Sequence, residues 1–289
     1  MNNDTMTNEQ NRGRRAWGWL AKQRGLVQVL SALTLNSYVT QRITKGLPCP
    51  ALNCYACPAA AFACPIGSIQ NAIEAHKFPI YVLGVVGLVG ALVGRGSCGW
   101  LCPFGWIQEL AYKLPVPKLR LPNRFNWTRY VILALLVVVI PLLTNVPWFC
   151  KLCPAGSLEA GIPWAIISAD IRAMIGAFYW LKIGILGGFA AWMSVTRRPF
   201  CRWVCPLGAL WAPFNTISAM RLQVNEGSCI QCNRCQQVCP VNIRVHETPN
   251  DSACIRCLAC MRECPTHSIS VEALSWTLEA DRGKQNLLG

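Results

Sequence analysis

Four stretches of the chain are dominated by apolar residues, Leu26–Tyr38, Phe78–Val93, Tyr130–Phe149 and Ala173–Val195, with polar, cysteine-bearing segments between them. The last two reach the roughly 20 residues that cross about 30 Å of hydrocarbon as a helix. The first two are shorter and contain Gln28, Asn36, Gly84 and Gly87. Small residues favour close helix contact, so a bundle accepts them. The pattern predicts four transmembrane helices, over about 25–41, 78–94, 129–149 and 173–196.

Composition excludes a single water-soluble globule. Of 289 residues, 53% are apolar and 14% charged, against about 45–50% and 25% in ordinary soluble domains. The formal charge is nevertheless +14. Lysine and arginine gather beside the apolar runs and form no helical stripe or finger motif, which argues against nucleic acid as a partner. The N-terminal arm (Arg12, Arg14, Arg15, Lys22, Arg24), the second loop (Arg95, Lys113, Lys118, Arg120, Arg124, Arg129) and the end of the fourth span (Arg197, Arg198, Arg202) hold 14 cations. The other two loops hold 5, Arg42, Lys45, Lys77, Lys151 and Arg172. The positive-inside rule then places both termini in the cytoplasm. Arg14-Arg15 precedes an apolar run, but with no small-residue cleavage site after it the segment reads as an uncleaved anchor.

The two membrane halves repeat each other. Half one carries Cys64-Pro65-Ile66-Gly67-Ser68 and Cys98-Gly99-Trp100-Leu101-Cys102-Pro103-Phe104-Gly105; half two carries Cys153-Pro154-Ala155-Gly156-Ser157 and Cys201-Arg202-Trp203-Val204-Cys205-Pro206-Leu207-Gly208. Two spans per half make the repeats parallel, related by a pseudo-twofold axis along the membrane normal.

Eighteen cysteines and three histidines point to thiolate-bound metal, and with no C-x-x-C-H the chain attaches no c-type haem. The run Cys229-x2-Cys232-x2-Cys235-x3-Cys239-Pro240 is followed by Cys254-x2-Cys257-x2-Cys260-x3-Cys264-Pro265. This is the bacterial two-cluster ferredoxin spacing, in which the fourth cysteine of each run serves the other cluster. One [4Fe–4S] is expected on Cys229, Cys232, Cys235 and Cys264, the other on Cys254, Cys257, Cys260 and Cys239. Zinc or disulfides are the alternatives.

Cys98/Cys102 and Cys201/Cys205 form a C-x-x-x-C-P pair just cytoplasmic of two spans. The i, i+4 spacing puts both sulfurs on one helical face, and the pseudo-twofold axis brings the pairs together. A third cluster, zinc, free thiols or a docking surface fit that arrangement. The outer face holds Cys49, Cys54, Cys57, Cys64, Cys150 and Cys153, where an oxidising compartment adds disulfides to a cluster or dithiols as readings. Ala61 stands where the repeat of Cys150 calls for a cysteine. Lys182 lies within the fourth span, where a charge costs about 2.5–3.5 kcal/mol. It is expected to face the bundle, a quinone carbonyl, a cluster or a backbone carbonyl, or else to snorkel. Quinol oxidation releases protons, and Glu159 and Asp170, then Glu74 and His76, are the outer-face acceptor candidates.

With these motifs in this order, the chain resembles the NapH family of membrane ferredoxin-type quinol dehydrogenase subunits. The resemblance rests on Cys98–Cys102, Cys201–Cys205 and Cys150-Lys151-Leu152-Cys153-Pro154-Ala155-Gly156 together with the ferredoxin run. It implies quinol as substrate, and a NapG-type periplasmic iron–sulfur protein and a NapC-type tetrahaem cytochrome as partners feeding periplasmic nitrate reductase. Related NosR-like and CcoG-like membrane ferredoxins imply the alternative, maturation or redox control of a metalloenzyme. The fold expected is a polytopic α-helical membrane protein of four spans in two parallel repeats, followed by an α+β ferredoxin domain. Its parts are a cytoplasmic arm 1–24, a first repeat 25–128, a second repeat 129–212, the ferredoxin domain 220–275 and a tail 276–289.

Overall fold

No proline interrupts the first 35 residues, and one helix, α1 (Asn3–Leu35), runs unbroken through the boundary expected at residue 24. The computed structural model describes residues 3–37, 44–119, 121 and 123–273, with side chains from residue 17 onward. Tyr38, Arg42, Arg120, the end of the first expected span at 38–41 and the tail 276–289 lie outside the described residues. After α1 come α2 (Pro65–Glu74), α3 (Ile80–Val93), the short α4 (Gly96–Trp100) and α5 (Pro103–Ala111).

Two helices are long and apolar enough to cross a bilayer by length and composition, α6 (Asn123–Thr144) and α10 (Ala177–Val195). The expected span 129–149 therefore starts earlier and ends at Thr144, because Asn145 turns left-handed at φ 52° and Pro147 follows. Between these helices lie α7 (Trp148–Leu152), a continuous helical stretch α8 over 154–167 and α9 (Ala169–Ala173). α3 has 14 residues, short of the roughly 20 that cross the hydrocarbon upright. Leu26, Leu30 and Leu33 of α1, Leu83, Leu88 and Leu92 of α3, Leu135, Leu142 and Leu143 of α6 and Leu181 of α10 are exposed, an apolar surface that a water-soluble fold seldom leaves uncovered.

The polar interruptions in the first apolar stretch close a helix end. The last carbonyls of a helix have no partner within it. Gln28 Nε2 and Arg24 Nε donate to Gly99 O at 3.1 and 2.9 Å, and Ser31 Oγ donates to Leu101 O at 2.8 Å, so α1 caps the C-terminal end of α4. In α6 the turn Leu133–Val139 is π-helical, and Gln70 Nε2 of α2 donates to Leu136 O at 3.0 Å. The core between the halves is aromatic, with Phe104 meeting Phe200 edge to face at 5.0 Å and buried Trp211 donating to Val86 O at 3.0 Å.

Beyond the π-helical turn Phe200–Val204 and α11 (Pro206–Trp211), the chain forms the small α+β unit that the cysteine runs predict. Strand β1 (Met220–Val224) pairs antiparallel with β2 (Ile269–Ala273), Met220 opposite Ala273 and Val224 opposite Ile269. The short helices α12 (Arg234–Val238) and α13 (Ala259–Glu263) lie between them and pack on each other. Asn215, fully buried, fastens this unit to the helices: its Nδ2 donates to Asp251 O and Cys254 O, each at 2.8 Å, and its Oδ1 accepts the Arg95 N–H at 3.0 Å.

Candidate metal centres

The two ferredoxin runs take the same backbone path. Gln231 and Asn233 turn left-handed at φ 51° and 58°, as do Arg256 and Leu258 at 49° and 58°, two and four residues after Cys229 and Cys254 respectively. Such φ values are unusual for a leucine, and fully buried packing holds Leu258 there. Alternating turns of this kind aim successive N–H groups into one concavity, the nest that receives anions and iron–sulfur clusters. Cys229, Cys232, Cys235 and Cys264 ring one pocket together with Ile230 and His246. Cys239, Cys254, Cys257 and Cys260 are close enough to interact electrostatically. Burial pushes the Cys254 thiol up to about 12 and Cys239 up to about 11, so thiolates there require a positively charged partner. The sulfurs surround a space, and no three His, Cys, Asp or Glu side chains among the described residues converge as ligands of a single ion. The donor set and its spread fit clusters.

A second group gathers where the C-x-x-x-C-P motifs meet. Cys98, Cys102, Cys201 and Cys205 are all buried and interact electrostatically across the halves. Cys102 and Cys205 are the N-cap residues of α5 and α11, each followed by proline at the first helical position. Their Sγ atoms accept the N–H of Gly105 and Gly208, both at 3.4 Å. Gln108 Nε2 donates to Cys201 Sγ at 3.1 Å. Arginines cross between the halves: Arg95 Nη2 donates to Cys201 O at 3.1 Å, and Arg198 Nη1 donates to Cys98 O at 2.9 Å. Each guanidinium lies over the other half's glycine; a Cβ on Gly208 would stand 2.6 Å from Arg95 Nη2, and one on Gly105 3.2 Å from Arg198 Nη1.

These arginines count in the sequence only as loop cations, yet Arg95 and Arg198 are 1% and 0% exposed. Burying a charge is costly unless it is paired. Arg198 pairs with Glu109 at 2.8 Å, and Glu109 also meets Arg24 at 2.5 Å. Arg95 has no carboxylate partner among the described residues, and its Nε is buried without an acceptor. Four thiolates at Cys98, Cys102, Cys201 and Cys205 would supply the missing negative charge. The signal was present in the sequence as Arg-x-x-Cys-x-Trp-x-Cys-Pro-x-Gly in both halves, starting at Arg95 and Arg198.

The ferredoxin unit rests directly on this group. Gly99 has no room for a side chain, since a Cβ would lie 2.3 Å from Ile255 O and 3.5 Å from Cys257 Cα. Trp100 Nε1 donates to Arg256 O at 2.9 Å, and Arg95 Nη1 donates to Ser252 O at 3.0 Å.

The outer-face cysteines divide. Cys54, Cys64, Cys150 and Cys153 line one pocket with Leu52, Tyr55 and Phe149. Cys57 lies outside that pocket, packed with Ala60 and Ala160 and against Cys54, and Cys49 is buried with its Sγ donating to Ala51 O at 3.0 Å. Glu159 Oε2 accepts the Cys54 N–H at 2.6 Å while Oε1 is buried without a partner, and burial pushes this carboxyl up to about 7. Lys182 is half-buried on α10 with Nζ 5.4 Å from the Phe178 ring. Asp170 is exposed in α9, Glu74 is half-buried at the end of α2 and His76 is exposed just after it.

Family models and relatives agree with this chemistry. A model described as a 4Fe-4S binding domain matches residues 78–122, 126–166 and 177–224, and a second of the same description matches 222–245 and 248–270. An uncharacterized protein of Methanocaldococcus jannaschii is 29% identical over 244 residues, 80% of this chain and 81% of that protein. The methylamine utilization ferredoxin-type protein MauN of Methylobacillus flagellatus is 26% identical over 54% of this chain and 52% of its own length. The putative electron transport protein YccM of Escherichia coli is 28% identical over 59% of this chain and 48% of its own. The chain thus spans about half the length of these last two. No solved structure matches.

Proposed function

From the premise that the chain is a ferredoxin-type iron–sulfur electron-transfer protein, we propose that it is the membrane subunit of a quinol dehydrogenase, conducting electrons between quinol and a periplasmic reductase. Its partners in this reading are a NapG-type iron–sulfur protein and a NapC-type tetrahaem cytochrome, with nitrate reductase as terminal acceptor. The protein lies in the inner membrane with four spans in two parallel repeats, the ferredoxin unit on the cytoplasmic side. The matched contacts of Arg95 with Cys201 and of Arg198 with Cys98 support the repeat. The exposed apolar faces of α6 and α10 support the membrane.

The observation that carries the reading is the seating of Cys257 and Ile255 against Gly99, beside Cys98. It joins the ferredoxin ligands to the four thiols between the halves with no solvent layer required. When bound, iron–sulfur clusters supply one-electron carriers whose potentials respond to charge, to hydrogen bonds at sulfur and to exposure. Cys229, Cys232, Cys235 and Cys264 would hold one, Cys239, Cys254, Cys257 and Cys260 a second, and Cys98, Cys102, Cys201 and Cys205 a third. Arg95 and Arg198 fix positive charge at the third group, and Gln108, Gly105 and Gly208 direct N–H donors at its sulfurs. Cys232 is exposed, as a docking end requires, whereas Cys98 and Cys102 are buried.

The test is an anaerobic preparation of the full chain, followed by electron paramagnetic resonance during titration with ubiquinol or menaquinol. A quinol-reducible signal that disappears in Cys98→Ala or Cys201→Ala supports the reading. If only ferredoxin signals appear and quinol reduces neither, maturation or redox control of a client metalloenzyme takes its place.

A further inference from the structure

The sequence alone leaves the six outer-face cysteines open, and the missing counterpart of Cys150 at Ala61 argues against a symmetric site. We propose that Cys54, Cys64, Cys150 and Cys153 form a further iron–sulfur cluster site, adjoining the four thiols between the halves. The proposal rests on the chain being an iron–sulfur protein and is independent of quinol and of any partner.

The first argument is placement. The four cysteines come from separate segments, the loop before α2 and the α7–α8 junction, yet they share one pocket. All six pairs among them interact electrostatically. The remaining two outer cysteines do not line that pocket: Cys57 packs with Ala60 and Ala160, beside Cys54, and Cys49 Sγ donates to Ala51 O.

The second argument is a shared local design. Cys64 and Cys153 are N-cap residues with proline next, as Cys102 and Cys205 are, and all four take the same extended backbone, with φ between −64° and −73° and ψ between 112° and 128°. In each case the third residue onward is glycine, Gly67, Gly105, Gly156 and Gly208; the N–H of Gly105 and of Gly208 reaches the sulfur of Cys102 and Cys205 at 3.4 Å, and Cys64 and Cys153 share the backbone without that bond. Proline at the first position sacrifices no hydrogen bond, and a helix N-terminus stabilises thiolate over thiol. Four Cys-Pro-x-Gly starts thus present ligands to two pockets, two to each.

The third argument concerns the ligand that symmetry fails to supply. Cys54 takes the place left by Ala61, and Glu159 Oε2 pins its backbone N–H at 2.6 Å. Gly156 packs beside it, with its Cβ position in van der Waals range of Cys54 Sγ at 3.5 Å. Gly67 lets Tyr55 close over the pocket, because a Cβ there would lie 2.5 Å from the tyrosine ring. Cys54 and Cys64 fall outside every segment that the family models match.

The pocket also adjoins the neighbouring centre. Leu52 lines it and lies beside Cys102, and Cys49 lies within electrostatic range of both Cys64 and Cys102. Ligation replaces four S–H bonds by four Fe–S bonds and releases the thiol protons to solvent. Ligation by four cysteines serves both [2Fe–2S] and [4Fe–4S] clusters.

The experiment measures iron and acid-labile sulfide per chain in the anaerobically purified full-length protein, its Cys64→Ala and Cys153→Ala variants, and Cys57→Ala. Each of the first two is expected to lose about two or four irons with matching sulfide, while ferredoxin signals persist and Cys57→Ala keeps the full content. In wild type, the four thiols are expected to resist alkylation when folded and to react as free thiols after denaturation without reductant. Unchanged iron in both variants, zinc in place of the lost iron, or disulfides among these four in wild type overturns the proposal. A variant that also loses its ferredoxin signals has misfolded, and the wild-type thiol mapping then decides. A chain whose signals quinol never reduces defeats the quinol assignment and leaves this count standing.

Discussion

Arg198 donates from Nη1 to the carbonyl of Cys98 at 2.9 Å, reaching from one half of the chain to the cysteine motif of the other. Arg95 makes the reciprocal bond to Cys201 O at 3.1 Å, so the motif of each half is completed by a residue that precedes the other. Both guanidinium groups are sealed from solvent.

Removing one of them leaves a buried carbonyl of the other half without its donor. Arg198→Met strips Glu109 of its 2.8 Å partner and Cys98 O of its donor. Glu109 keeps Arg24, so the expected loss is about 1–3 kcal/mol, the cost of a buried acceptor left without a donor, read as a lowered unfolding midpoint of the detergent-solubilised chain. Arg198→Lys keeps the charge but loses the planar fork, and an intermediate midpoint is expected.

Gly99 is the tightest contact between the ferredoxin unit and the helices. Gly99→Ala places a Cβ 2.3 Å from a backbone oxygen, which side-chain rotation cannot relieve. The ferredoxin unit is expected to lift, with faster amide exchange over 252–257 and slower reduction of the centre at Cys98. Trp100→Phe, which removes only the bond to Arg256 O, is expected to cost about 0.5–1.5 kcal/mol.

Gln108 reaches Cys201 Sγ at 3.1 Å with its amide. A donor at sulfur stabilises the more negative, reduced state of a centre. Gln108→Leu is therefore expected to make that centre harder to reduce, shifting its midpoint in a spectroscopic redox titration to lower potential, while the ferredoxin midpoints stay in place.

The ligand sets of the ferredoxin unit cross between the runs, and this has a spectroscopic consequence. Cys264 lines the pocket of Cys229, Cys232 and Cys235, although its sequence neighbours are Cys254, Cys257 and Cys260. Cys264→Ser is expected to perturb the same signal as Cys235→Ser, and Cys239→Ser the same as Cys260→Ser. Pairing by sequence run in place of this pattern would reject the crossed assignment.

Local spacing determined much of this protein. The ferredoxin ligands follow from C-x2-C-x2-C-x3-C-P because short loops with left-handed turns at Gln231, Asn233, Arg256 and Leu258 leave the sulfurs little freedom. The two long apolar helices follow from hydropathy, and the Cys-Pro-x-Gly starts from capping chemistry. Tertiary structure decided what depends on contacts between distant segments. Gln28 is an interruption in an apolar run, and only the approach of α4 shows that it and Ser31 cap the carbonyls there. Arg95 and Arg198 stand at matched places in the repeat, yet nothing in the spacing shows that they are buried, because their burial depends on packing across the halves. Ala61 breaks the repeat, and spacing leaves Cys54 one of six outer-face candidates, because the bond that holds its N–H comes from Glu159, a residue 105 positions away. Spacing along the chain fixes ligands that share a turn, whereas ligands brought together from separate segments are fixed by the fold alone.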